Sequence, residues 1–394
     1  MKYCVLIIDG ASGWPLPQRE GKTCLELAYT PNLDAMAKAG VLGLVRTVPP
    51  GMEPSSACAC MSVFGYDPKV YYRGRSAIEA KSLGIPVDDG DAVFRCNLVA
   101  VRDGKMWSYS SGYISTDEAQ QLISALNKTL GSDKIYFYPG VGYRHICLLK
   151  GREDTLLATC TPPHDIHDKP IDQFLPKGPG SDLLLDLMER SEAVLRDHPV
   201  NIERRSRGDI PVTMFWLFWG SGRIPDMPPF KQVYGLSAAI TSGVDLLRGL
   251  ARMVGMDILD IPGVTDGLDN DYAAQASGAL QALDDHDLVV IHIEAPDEAA
   301  HSGSIDAKID AIQRVDSEVV SRLRSWQPDS LRLLVMPDHS TPLQTQTHVA
   351  DPVPFMLWGS GFTPNGAKRF TESEAKKVGF FIDNGYNIMN MLID

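Results

Sequence analysis

Two stretches near the C-terminal end carry acids and histidines at spacings that suit a metal ion. In "APDEAAH", Asp297 and His301 stand at i and i+4, on one face if the segment is helical. In "PDHSTPLQTQTH", Asp338 and His339 are adjacent and His348 follows nine residues later. The apolar runs "DLVVIHIEAPD" and "LRLLVMPDHS" lead into these stretches, and a third run, "YCVLIIDG", ends at Asp9. Imidazole and carboxylate donors suit Zn, Mn or Fe better than Ca. With Asp9 the set is large enough for two ions about 4 Å apart, the usual two-metal spacing. Any one of these histidines, taken alone, reads as a surface or core residue; it is their recurrence behind strand-like runs that argues for a site.

A two-metal site implies phosphoryl chemistry, which needs a nucleophile. The stretch "EPSSACACMSVFGYD" sets Ser55 and Ser56 side by side before small, uncharged residues. It reads either as a capped, buried helix or as a nucleophile at a helix N-terminus, where a phosphate would be favoured. Arginines are the candidates for gripping carboxylate or phosphate: Arg73 and Arg75 in "YYRGRS", Arg95 in "FRCN", Arg144 in "YRH", and Arg204, Arg205 and Arg207 in "NIERRSRG". Solvated surface suits Arg205, whereas Arg95 and Arg144 interrupt strand-like runs. His164 and His167, in "TPPHDIHD", are loop candidates for proton transfer or substrate contact. His198 reads as a helix cap or end, His286 as part of a charged turn, and His292 as a buried, hydrogen-bonded core histidine.

The elements that must position these groups alternate. The three apolar runs have the composition of strands covered on both faces. Helical patterns occupy 30–40, 243–256, 271–285 and 307–326. Alternation of this kind argues a mainly parallel α/β sheet, with ligands beyond the carboxyl ends of its strands. The middle differs: short strand-like pieces ("DAVFRCNLVAV", "KIYFYPG", "YRHICLLKG") surround one helix and close on the Pro/Gly-rich "FLPKGPGSD". We therefore expect a discontinuous α/β domain, 1–77 with 181–394, carrying an inserted α+β domain at 78–180. A length of 394 residues suits two domains. The net charge of −13 argues against nucleic-acid or anionic-membrane partners. The apolar start is too short for a signal peptide or a membrane span. Seven cysteines without a C-x-x-C pair suggest reduced thiols and a cytoplasmic protein.

The order "DG" after the first strand, "TPNLD", "PSSxxxxxSxxGYDP", "YYRGR", "FRCN", "APDEAxHSG" and "DHSTP…H…DPVPF" resembles the cofactor-independent phosphoglycerate mutases of the archaeal type, in the alkaline phosphatase superfamily. The likeness runs from residue 1 to about residue 360. It implies an alkaline-phosphatase-like, mainly parallel sheet sandwiched by helices, with the inserted domain binding substrate. It implies two divalent ions (Mn, Zn, Co or Mg) and no 2,3-bisphosphoglycerate. One ion would be held by Asp9, Ser56, Asp338 and His339, the other by Asp297, His301 and His348. Counting back from "GYDP" makes Ser56 the nucleophile. "PSSA" replaces the family's usual P-G-S-D, so Ala57 stands where Asp is common. Arg73, Arg75, Arg95, Arg144, Arg204 and His164 would contact a small phosphorylated hydroxy acid. In the implied reaction 3-phosphoglycerate and 2-phosphoglycerate interconvert through a phosphoserine, with the inserted domain keeping water away. The alternative within the superfamily is a phosphatase or phosphotransferase on another hydroxy acid, for example a homoserine-kinase-like activity. A homo-oligomer is an admissible assembly.

Overall fold

The computed structural model describes residues 1–326 and 331–394. The chain folds as two units, Met1–Tyr72 with Pro225–Asp394, and Arg73–Ile224. Along the chain the first unit begins with strands β1 (Lys2–Ile8) and β2 (Val41–Val45). The second contains β3 (Ala92–Arg102), β4 (Lys105–Ser108), β5 (Ile135–Tyr138), β6 (Arg144–Leu149) and β7 (Met214–Ser221). The first resumes with β8 (Ala238–Thr241), β9 (Asp257–Ile258), β10 (Leu288–Ile293), β11 (Leu331–Met336), β12 (Val353–Gly359) and β13 (Phe381–Ile382).

In the first unit an eight-stranded sheet runs in the order β13-β2-β12-β11-β1-β10-β8-β9. β11, β1, β10, β8 and β9 pair in parallel, and β12 runs antiparallel to β11 and β2. The central strands are apolar on both faces because both are covered. Cys4, Leu6, Ile8, Val289, Ile291, Leu333 and Val335 join one core with the helices Pro31–Ala39, Tyr272–Ala282 and Ile305–Arg314. Val5, Ile7, Val290 and Leu334 alternate with them and are equally buried. Outside that core, the helices Asp245–Met253 and Ile388–Ile393 pack against β8 and β11 and against the helix Ser56–Val63. The expected α/β class, mainly parallel and flanked by helices, is what the chain adopts. The strands β2 and β12 were not among the runs singled out; their antiparallel pairing gives no βαβ pattern to read.

In the second unit an antiparallel sheet forms around β3, which pairs with β4, β6 and β7. Here the expected boundaries shift. The sequence placed the return to the first unit at residue 181, but the second unit extends to Ile224. The reason is β7, which pairs with β3 from Val93 to Val99, and the helix Ser181–Arg196, which packs on β7 and on the helix Thr116–Leu130. "FLPKGPGSD" is a turn inside this unit: Gly180 takes φ +79° and starts the helix at Ser181. Among the described residues, no helix is long and apolar enough to cross a membrane.

Candidate metal centre

Three neighbouring parallel strands, β11, β1 and β10, deliver the acids. Ile8 pairs with Ile293 and Ile7 with Met336, so all three strands end at one edge. Asp9 follows β1, the helix Ala295–His301 follows β10, and Asp338 and His339 follow β11. Gly10 is needed for this convergence. It takes φ +60°, and a Cβ there would stand 2.4 Å from Asp297 Oδ1.

Two donor groups form at this edge. In the first, His339 Nε2 lies 3.5 Å from Asp9 Oδ1, 3.4 Å from Asp338 Oδ2 and 3.2 Å from Ser56 Oγ. In the second, Asp297 Oδ2 lies 3.0 Å from His301 Nε2 and 3.4 Å from His348 Nε2, and the two imidazole nitrogens are 2.9 Å apart. The structure brings Asp9, Asp297, His301, Asp338, His339 and His348 together at this edge, with the rings of His339 and His348 stacked at 3.9 Å.

The hydrogen bonds show which atoms carry lone pairs. Thr341 Oγ1 donates to Asp297 Oδ1 at 2.5 Å, since a carboxylate can only accept. Its remaining capacity is to accept from His339 Nδ1–H, 3.2 Å away. His339 therefore turns a bare Nε2 toward two carboxylate oxygens. Burial pushes this imidazole down to about 4, so it stays neutral near pH 7. Asp9 Oδ1 and Asp338 Oδ1 are buried without a hydrogen-bond partner. Asp9 is raised well above the ordinary carboxyl range, first by burial and then by Asp338, Glu294 and Asp297. For Asp297 burial acts upward, but His301 and His348 outweigh it and hold the carboxyl well below its ordinary value. His301 rises to about 9, chiefly through its hydrogen bond to Asp297. Carboxylate and imidazole donors crowded this closely, with buried oxygens of Asp9 and Asp338 left unpartnered, are an environment that a divalent cation satisfies by displacing their protons.

The two serines part company. Ser55 is the N-cap of the helix Ser56–Val63, accepting from Cys58 N at 3.3 Å, and its hydroxyl also meets Tyr72 OH. Ser56 is the first helical residue, with its hydroxyl directed at His339. Ala57 is fully buried.

Several groups at this edge escaped the sequence reading. His292 is buried as expected, but its Nε2 lies 2.8 Å from Asp9 Oδ2 and its Nδ1 3.0 Å from Ser242 Oγ. Glu294 adds a carboxyl beside Asp9, raised to about 8 mainly by burial. Asp9, His292 and Glu294 thus form a further set of clustered donors. His292 Nε2 is already at hydrogen-bond distance from Asp9, so we read this set as support for Asp9. Lys308, buried, donates to Ser12 O and Thr341 O at 3.1 and 2.8 Å. The position of "HIEAPD" at a strand end was the available signal for Glu294; nothing local marked Lys308.

The arginines divide within the second unit. Arg95 is buried, paired with Glu79, and leaves Nε without a partner. Arg75 bonds Glu79 at 2.8 Å, and its guanidinium lies 4.9 Å from the Trp219 ring centroid. Trp219 holds φ +50°, rare for so bulky a residue, at an irregularity in the β3–β7 ladder. His164 is exposed, edge-on to Trp219 at 5.6 Å. Arg73 and Arg144 are exposed. Arg204 is a correction to the expected substrate contacts. It is buried, and its guanidinium bonds Glu118 at 2.6 Å, Ser111 O at 2.7 Å and Ile210 O at 2.9 and 3.0 Å. Those bonds make it an internal strut. His198 caps the helix Pro199–Arg207, and His286 bonds Asp257 at 3.0 Å, both as expected.

An α/β scaffold with clustered carboxylates and imidazoles beyond parallel strand ends is an arrangement suited to a metal-dependent enzyme. Comparison with known proteins narrows it. A family model described as 2,3-bisphosphoglycerate-independent phosphoglycerate mutase matches residues 37–201. A protein of that name from Methanothrix thermoacetophila is 44% identical over 100% of both chains. A probable one from Geobacter sulfurreducens is 42% identical over 100% of both. Among solved structures, the cofactor-independent phosphoglycerate mutase of Thermoplasma acidophilum aligns with a TM-score of 0.66 at 26% identity, covering 100% of this chain and 99% of that one. A Pyrococcus horikoshii protein aligns at 0.81 and 27%, covering 100% and 96%. The chain belongs to the 2,3-bisphosphoglycerate-independent phosphoglycerate mutase family, whose members are isomerases.

Proposed function

We propose that this protein interconverts 3-phosphoglycerate and 2-phosphoglycerate through a phosphoserine at Ser56, beside two divalent ions. The observation that carries the reading is the Ser56 hydroxyl, 3.2 Å from an unprotonated His339 nitrogen that also faces Asp9 and Asp338. Asp9, Asp338, His339 and Ser56 would hold one ion, and Asp297, His301 and His348 the other. The partnerless buried oxygens of Asp9 and Asp338 fit such ions. When bound, the ions supply positive charge for the phosphoryl oxygens and lower the pKa of the Ser56 hydroxyl.

Ser56 Oγ gives up its proton and forms its bond to phosphorus as the bond from phosphorus to the substrate's 3-oxygen breaks, and that oxygen takes up a proton in exchange, leaving glycerate. The glycerate 2-hydroxyl then takes the phosphoryl group, and Ser56 regains its hydroxyl. Ser55 keeps the helix start capped, so the nucleophile is held on a fixed turn whose N-terminus favours the phosphate. We assign the acid's carboxylate to the second unit's cations, Arg75 and Arg95 first, with Arg73, Arg144 and His164 as further contacts. A bidentate guanidinium suits a carboxylate. Water must be kept from the phosphoserine, because hydrolysis would release phosphate. The seven cysteines are free, six of them buried, and we place the protein in the cytoplasm. The test is phosphorus NMR of the metal-loaded protein with 3-phosphoglycerate. The reading expects 2-phosphoglycerate without free phosphate; phosphate alone would make the protein a phosphatase.

A further inference from the structure

Asp9, Asp297 and Asp338 each have one carboxyl oxygen met by a protein donor. His292 meets Asp9 Oδ2, Thr341 meets Asp297 Oδ1, and Cys60 Sγ lies 3.6 Å from Asp338 Oδ2. Only Thr341 also touches the other donor group, through His339 Nδ1. We propose that Thr341 is a positioning residue that cross-links the two ion sites, so that one hydroxyl sets the ligand geometry of both. The inference rests on the two-ion reading above.

The hydroxyl works in both directions. Its proton goes to Asp297 Oδ1, which leaves Oδ2 as the oxygen facing His301 and His348. Its lone pair takes the His339 Nδ1 proton, which leaves Nε2 as the bare nitrogen facing Asp9, Asp338 and Ser56. Partners of this kind fix the tautomer and rotation of a ligand. The residue cannot swing away. It is fully buried, its N–H donates to Ser12 O at 3.1 Å, and its carbonyl accepts from Lys308. Lys308 bonds Ser12 O as well, so the loops after β1 and β11 are stitched together behind the hydroxyl.

Thr341→Val replaces the hydroxyl by a methyl group of similar size. Asp297 then loses its donor and His339 loses the acceptor that fixes its tautomer, both in buried positions. Thr341→Ser keeps the hydroxyl and loses only the methyl. The experiment is calorimetric titration of chelator-stripped protein with Mn2+, with bound metal counted by elemental analysis and folding checked by circular dichroism. Wild type is expected to bind two ions. Thr341→Val is expected to bind both about 10–100-fold more weakly, and Thr341→Ser to bind within a few-fold of wild type. Fewer than two ions in wild type removes the two-ion reading and the cross-link with it. Two ions in wild type with unchanged affinities in Thr341→Val, or a loss confined to one ion, overturns the cross-link alone. So does a folded Thr341→Ser that binds much more weakly than wild type, a comparison that stands even if Thr341→Val fails to fold.

Discussion

The sheet edge of the first unit and the face of β3 in the second are both rich in buried charge, but of opposite sign. At the edge, Asp9, Glu294, Asp297 and Asp338 gather around four histidines, His292, His301, His339 and His348, and the unpartnered buried atoms are carboxyl oxygens of Asp9, Asp338 and Glu294. On the β3 face, Arg95 and Arg75 share the single carboxylate of Glu79, and Arg95 Nε, Ser76 Oγ and Asn97 Oδ1 are left unpartnered. Leaving a buried polar group unmade costs about 1–3 kcal/mol, more when it is charged. The imbalance in each place therefore indicates what would complete it: cations at the edge, an anion with hydroxyl groups at β3. On the proposed reading, a phosphorylated hydroxy acid offers the second, and divalent ions the first.

The largest effect that would break this comparison is at Ser56, the proposed nucleophile. Ser56→Ala should reduce mutase turnover to background in a coupled assay while circular dichroism stays native, because Ser55 and not Ser56 caps the helix. Next in size, Asp297→Asn should lower bound metal from two ions per chain to one, counted by elemental analysis. An unchanged two would separate Asp297 from the ions.

The two buried arginines of the second unit sharpen the contrast. Arg204→Met leaves Glu118 its second partner, Arg207, but strips Ser111 O and Ile210 O of a donor and should cost about 1–3 kcal/mol in urea unfolding. The kcat/KM of the folded fraction should stay at wild type. Arg95→Met leaves Glu79 its second partner, Arg75, so its main loss should be in kcat/KM. If both variants behave alike, the substrate role of Arg95 fails.

A smaller effect is pH-dependent. Burial, followed by the Arg95 charge, pushes His145 down to about 3 from its ordinary 6.5. The unfolded chain thus binds a proton that the folded chain refuses. His145's contribution is fully present above pH 6.5 and is lost as pH falls toward 3, at about 1.4 kcal/mol per pH unit. His145→Gln should flatten the dependence of the urea midpoint between pH 7 and pH 5 by that one proton. The smallest effect is Ser55→Ala, which should cost about 1 kcal/mol of stability and keep measurable turnover.

How much could be read without coordinates follows from the same contrast. The meeting of Asp9, Asp297, His301, Asp338, His339 and His348 at one edge was legible because each follows an apolar, strand-like run and the alternation of strands with helices implies parallel neighbours. Arg204 was misread because "NIERRSRG" gives no sign that Ile210 O, Ser111 O and Glu118 close around one guanidinium. The end of the second unit was missed because β7 pairs with a strand more than a hundred residues away, and Pro/Gly-rich sequence marks turns inside units as readily as between them. Thr341 lay in plain sight in "DHSTP". Only its bonds to Asp297 and His339, from opposite sides, give it a role.

The central claim is that Ser56 carries the phosphoryl group beside two ions. The direct measurement is rapid acid quench of the metal-loaded protein during turnover with 3-phosphoglycerate, followed by peptide mass spectrometry. The account predicts one phosphate on Ser56, absent without metal and absent in Ser56→Ala. Phosphate on Ser55, or full turnover with no phosphoenzyme in either variant, would contradict it.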